Sequence, residues 1–119
     1  MLLDTNAVIR FNDAQSLLQE GEQPVITQTI ADEVADVGAR KGFSGVIPDG
    51  VDMVEESPSI GWRMQVLQTM REYGANETGI YNDATIGATS LDRGLPLITG
   101  DNALGSAVQE LGGEWRQLP

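Results

Sequence analysis

The chain has no cysteine and no histidine among its 119 residues. Thiol nucleophiles, zinc fingers, disulfide scaffolds and imidazole bases are excluded in one step. Acid–base or metal chemistry must rest on Asp, Glu, Asn, Ser and Thr, and the redox compartment stays open. Residues 82–102, NDATIGATSLDRGLPLITGDN, are mostly apolar or small, with Asp83 and Asp101 near the two ends. Two more acids stand in suggestive places, Asp4 at the end of MLLD and Glu33 within TIADEVAD. Three or four carboxylates held close together repel, and some stay protonated at neutral pH. A hard divalent cation relieves that repulsion, and oxygen ligands are what Mg2+ or Mn2+ prefer. Without histidine, iron and zinc are disfavoured. A site of this kind activates water and stabilises an in-line displacement at phosphorus, with one metal or two.

Each acid also has an ordinary reading. Asp4 serves as a solvated strand end, Asp83 as a helix cap or dipole partner, Asp101 as a turn former in TGDN, and Glu33 as a surface acid of a first helical turn. The choice between the two readings depends on where the elements bring these residues.

MLLD is a short apolar strand ending in Asp4. DAQSLLQE, from about Asp13 to Glu20, predicts a helix closed by Gly21. PVIT, 24–27, is a second strand. TIADEVADVGARKG has Ile30, Val34 and Val37 at helical spacing, with acids early, bases late and Gly42 as the stop. FSGVIPDG is a connection, and VDMVEE alternates as a third strand. Pro58 and Ser59 open a helix with an apolar stripe of Ile60, Met64, Leu67 and Met70, and Gly74 closes it. ANETGIYN reads as a turn, DATIGATSLDR as a helix capped by Asn82 and stopped by Gly94, and LPLIT as a strand. ALGSAVQEL is a further helix and EWRQL a last strand.

Strands alternating with helices predict a single three-layer α/β domain over residues 1–119 with a mostly parallel sheet. Ligands of such sheets bind beyond the carboxyl ends of the strands. Asp4 and Asp101 follow strands directly. A helix that precedes a parallel strand runs antiparallel to it, so Asp83 reaches the same edge. Glu33, in the first turns of the helix after PVIT, faces that edge with Ile30 and Val37 on the inward side. Asp36 falls on the outer side.

The formal charge is −11 and the only lysine is Lys41. So acidic a chain is not a bulk nucleic-acid binder of the basic-patch kind. No run of about 18 apolar residues suggests a membrane span. The opening MLLDTN lacks the basic head and long apolar region of a signal peptide. It starts at once with a strand, as a trimmed domain of something larger would.

With LLDTNAVI, TIADEVAD, NDATIGATSLDRGLPLITGDNAL and the closing GGEWRQL in view, the chain resembles the PIN domain family nearly end to end. The opening LDTN and the long block from Asn82 are specific; TIADEV is a weaker signal. The resemblance implies a Rossmann-like fold with strand order 3-2-1-4-5 and a metal-dependent nuclease, in many members a ribonuclease toxin with a cognate antitoxin. It assigns the acidic roles to Asp4, Glu33, Asp83 and Asp101. Asn6 would bind a metal water or a phosphate, and Thr5 and Thr99 would support the acids. Thr99 and Arg10 would also come within reach of substrate.

The chain departs from the family in being short, so that a clamp region around 60–76 is expected to be reduced. It is also acidic, with Arg10, Arg40 and Lys41 the basic residues of interest. Arg40 and Lys41 suit a structural role at a helix C-terminus. RNA binding by the chain alone is therefore expected to be weak or to need a dimer groove.

An aspartate-nucleophile phosphatase wants a second Asp two residues after the first, where this chain has Asn6, and a later Lys. A receiver domain also lacks its lysine. A catalytically idle PIN-like binding module remains the alternative. The expectation is a Mg2+- or Mn2+-dependent endoribonuclease. It would be either the toxin of a toxin–antitoxin pair, acting in the cytoplasm, or the nuclease tip of a secreted, contact-delivered toxin. Its expected partners are RNA, an antitoxin or immunity protein, and a second copy in a homodimer, with no membrane.

Overall fold

The computed structural model describes residues 1–42 and 44–119. Among these residues five parallel strands form one sheet, β1 (Leu2–Leu3), β2 (Val25–Ile26), β3 (Asp52–Met53), β4 (Leu97–Thr99) and β5 (Trp115–Gln117). Their order is β3-β2-β1-β4-β5, as the resemblance implied. Leu2 lies opposite Val25 on one side and Leu97 on the other, and Leu3 lies opposite Ile98. The central strands β1, β2 and β4 are apolar except for Thr99, because both faces of a parallel sheet are covered; Leu2, Leu3, Ile26, Leu97 and Ile98 are fully buried.

Among the described residues there are six helices, α1 (Thr5–Ile9), α2 (Phe11–Gln15), α3 (Gln28–Lys41), α4 (Ile60–Glu72), α5 (Ile80–Arg93) and α6 (Asn102–Glu110). The chain moves from β1 to β3 in one direction and returns to β4 and β5 in the other. Right-handed crossovers then put α1, α2 and α3 on one face and α4, α5 and α6 on the opposite face. The contacts agree, α1 packing on α2 and α3, and α4, α5 and α6 packing on one another.

Several expected boundaries differ, each for a local reason. The helix expected over 13–20 is replaced by two short helices that begin directly after β1, because the Asp4 carboxylate caps α1 by accepting from the Thr5 N–H. The second of them stops at Gln15, where the Ser16 hydroxyl bonds back to the Asp13 carbonyl and competes with the ladder. The strand expected over 51–56 is only Asp52–Met53. Past Val54 the chain turns so that Glu56 accepts from the N–H and hydroxyl of Thr29 at the start of α3. The connection read from Phe43 begins on a residue outside the described ones.

Helix α4 takes up 13 residues, Ile60–Glu72, of the stretch 60–76. Its inward side is Val66, Leu67, Thr69 and Met70, whereas Ile60 and Met64 of the expected stripe are exposed. The reason is Gly87 of α5, which lets Val66 approach so closely that a Cβ there would sit 2.8 Å from its Cγ1. Helix α5 begins three residues earlier than expected, capped at Gly79 rather than Asn82, which draws Ile80 into the core.

A second close approach joins α6 to β5. A Cβ on Gly105 would lie 2.0 Å from the Trp115 ring. Alanine at position 105 gains about 1 kcal/mol of helix propensity, but displacing a packed indole costs roughly 3 kcal/mol. Gly105→Ala is therefore expected to lose about 2 kcal/mol net in denaturant unfolding; an unchanged or higher stability would show that the indole yields freely.

Candidate functional site at the carboxyl edge of the sheet

Asp4 leaves β1 and is 6% exposed. Its Oδ1 accepts from the Thr5 N–H at 2.8 Å and its Oδ2 accepts from the Thr99 hydroxyl at 2.7 Å. The same Thr99 oxygen accepts from the Asp101 N–H at 3.0 Å. Thr99 thus fastens the end of β1 to the turn after β4. Asp101 caps α6, its Oδ1 accepting from the N–H groups of Ala103 and Leu104 at 2.9 and 3.1 Å. Its second oxygen has no hydrogen-bond partner among the described residues. Two of the four acids are therefore also local caps, and the ordinary reading and the functional one coexist in the same side chains.

Asp83 is in the first turn of α5 and half-buried, and its carboxylate accepts no hydrogen bond from the described residues. Glu33 is half-buried on α3. Its Oε1 is shut off from solvent without a hydrogen-bond partner, as is the Thr5 hydroxyl. The Thr5 hydroxyl approaches Glu33 closely enough to favour its charged form, without reaching hydrogen-bond geometry.

The acids feel one another. Burial, and then the charges of Asp4, Asp101 and Glu33, push Asp83 from 3.8 up to about 7. Asp4 is raised chiefly by burial, against the hydrogen bonds from Thr99 and Thr5 and with the help of Asp101. Glu33 is raised by burial and then by Asp4. Four carboxylates from four separate segments thus share one electrostatic neighbourhood.

Among the described residues no three Asp or Glu side chains are arranged so that they could hold a metal ion as they stand. In kind the donors fit a hard cation: all are oxygens, one Glu33 oxygen is buried and orphaned, and the set repels itself without a counter-charge.

The other expected site residues lie as follows. Asn6 is exposed in the first turn of α1, two residues from Asp4. Thr99 is fully buried, and its hydroxyl is taken up by Asp4 and Asp101. Arg10 is exposed but paired with Asp13 at 2.9 Å. It lines a cleft of about 580 Å3 with Phe11, Asn12, Val34, Ser44 and Val46, which contains none of the four acids. Arg40 pairs with Asp36 one turn before it, the structural role expected of it. Sequence reasoning missed Trp115, whose indole N–H donates to the Thr99 carbonyl at 3.0 Å; nothing local in EWRQL announces that bond. Among the described residues no helix is long and apolar enough to cross a membrane.

Because the folded chain holds the Asp83 proton more tightly than the unfolded chain does, this group costs nothing below about pH 4. Its cost grows as pH rises towards 7 and is constant above. A difference of that size corresponds to about 4 kcal/mol, reduced by solvent screening to about 2 kcal/mol. Asp4 and Glu33 act in the same direction. Glu22, held down to about 2 by Arg116, loses its contribution only on acidification, outside this window. In metal-free thermal melts, Tm is expected to be higher at pH 5 than at pH 8. Asp83→Asn should raise the pH 8 value by roughly 5–10 °C. A flat profile, or a variant that melts lower at pH 8, contradicts the shared neighbourhood.

No protein-family model matches the chain, and no curated protein does. Among solved structures, the chain is similar to one from a toxin–antitoxin complex of Klebsiella pneumoniae. The likeness has a TM-score of 0.53 and 23% identity, and covers 84% of this chain and 85% of that one. At that identity the likeness is one of fold.

Proposed function

We propose that this chain is a Mg2+- or Mn2+-dependent endoribonuclease of the PIN type that acts as a toxin and is restrained by a protein partner. The observation that carries the reading is the electrostatic coupling of Asp4, Glu33, Asp83 and Asp101, drawn from four segments to one sheet edge. The resemblance of LLDTNAVI and NDATIGATSLDRGLPLITGDNAL to that family supports the choice of substrate. The fold shared with a chain of a toxin–antitoxin complex supports the toxin role and an antitoxin-like partner.

Asp4, Asp83 and Asp101 would hold the cation, with Glu33 assisting. When bound, such an ion supplies positive charge to a phosphodiester in displacement and lowers the pKa of a water. The chain's own residues do the rest. Thr5 and Thr99 fix both oxygens of Asp4, and the α6 N–H groups fix one oxygen of Asp101 and leave the other to serve the site. Glu33, with its raised affinity for a proton and its unpartnered oxygen, is suited to take a proton from water. Asn6, exposed beside Asp4, is the candidate contact for a substrate phosphate.

The absence, among the described residues, of a preformed three-carboxylate cage favours one other reading, a catalytically idle binding module of the same fold. An RNA-cleavage assay of the purified chain separates the two. Cleavage is expected with Mn2+, none with EDTA, and at least ~100-fold less with Asp4→Asn, whose circular dichroism should stay unchanged because Asn is an equally good cap. No metal-stimulated cleavage of any RNA would leave the binding module standing, and full activity of Asp4→Asn would refute the role given to Asp4.

A further inference from the structure

Thr99 is engaged from both ends. Its hydroxyl donates to Asp4 and accepts from the Asp101 N–H. Its carbonyl accepts from the Leu118 N–H at 3.0 Å and from the Trp115 indole at 3.0 Å. The Leu118 bond is what any next strand would supply. The indole bond is additional, and the chain makes specific room for it: the ring lies on the backbone of α6 at Gly105, where even a methyl group would collide. Helix α6 is the one that Asp101 caps. Trp115 therefore touches both supports of the acidic edge, the strand that carries Thr99 and the helix that starts at Asp101.

We propose that Trp115 is a positioning residue for the acidic edge, acting through Thr99 and α6 to hold Asp4 and Asp101 in register. The proposal rests on the reading of that edge as a cation site, and it extends the site to the outermost strand of the sheet. The indole N–H fixes the peptide plane after Thr99, and so the direction of the chain into Gly100 and Asp101. Without it, the peptide at the end of β4 is held by the Leu118 bond alone and rocks about it, and the Thr99 hydroxyl can no longer serve Asp4 and Asp101 together at 2.7 and 3.0 Å. The outer supports of metal ligands commonly carry 10- to 100-fold in affinity. A support one bond further out is expected to carry about 5-fold.

The variant is Trp115→Phe, which keeps an aromatic ring beside Gly105 and removes the donor together with part of the indole's bulk. Its first readout needs no metal. Amide exchange followed by NMR should be about 5-fold faster at Asp101 and at Thr5, the donors to Thr99 and Asp4. Val25 and Val54, in the far half of the sheet, should be unchanged. The second readout is calorimetric titration with Mn2+, where the dissociation constant should weaken about 5-fold in Trp115→Phe and not in Trp62→Phe, a ring remote from the edge. Unchanged exchange at Asp101 and Thr5, or an equal acceleration everywhere, overturns the proposal and leaves Trp115 a packing residue. If the wild-type chain takes up no Mn2+, the cation reading fails, while the exchange comparison still decides the role of Trp115. Should Trp115→Phe not fold, the reciprocal measurement replaces it. Exchange of the Trp115 indole N–H should quicken several-fold in Thr99→Val, and an unchanged rate overturns the coupling.

Discussion

A carboxylate buried between two parallel strands is the constraint on which the rest of this structure turns. Asp4 lies at the junction of β1 and β4, almost out of solvent, and an unpaired charge there would cost several kcal/mol. The fold offsets part of that cost with the Thr5 N–H and the Thr99 hydroxyl, yet burial still prevails and the carboxyl holds its proton more firmly than a free one. The two compensating bonds start α1 directly at the strand end and pin β4 beside β1. The Thr99 hydroxyl then passes the constraint on to Asp101 and the cap of α6.

Topology explains why other acids gather round Asp4. The strand order reverses between β1 and β4, so the helices of the two halves leave the sheet on opposite faces at the carboxyl edge. Every crossover helix begins or returns near that edge, and Glu33, Asp83 and Asp101 each occupy an early helical position. Four carboxylates in one place are a net burden on stability. Their placement is the kind of local conflict that folded chains retain at functional positions.

The basic residues sharpen that point. Every arginine is engaged within the chain: Arg10 by Asp13, Arg40 by Asp36, Arg71 by Glu77, Arg116 by Glu22 and Glu114, Arg63 by the Ser57 carbonyl and Arg93 by the Glu55 carbonyl. Among the described residues the arginines therefore form no preformed cationic track for a polyanion. Exposed pairs such as Arg10–Asp13 are weak enough for a phosphate to displace.

The sequence by itself determined the layer architecture, because the alternation of apolar strands with helical periods admits little else, and it placed Asp4, Asp83 and Asp101 at strand and helix ends. Gly42 and Gly94 marked helix stops because left-handed backbone there suits glycine. Only the tertiary structure decided the rest. Which side of α4 is buried depends on Gly87, a residue of another helix. The length of β3 depends on Glu56 turning to cap α3. Thr99 serves Asp4 because its hydroxyl faces inward between strands, and Trp115 reaches the Thr99 carbonyl only because Gly105 clears a place for its ring. Each of these is a contact between segments far apart in the chain, to which local propensity is blind; spacing along a sequence reports the period of an element, and contacts between elements are fixed only when side-chain volumes meet.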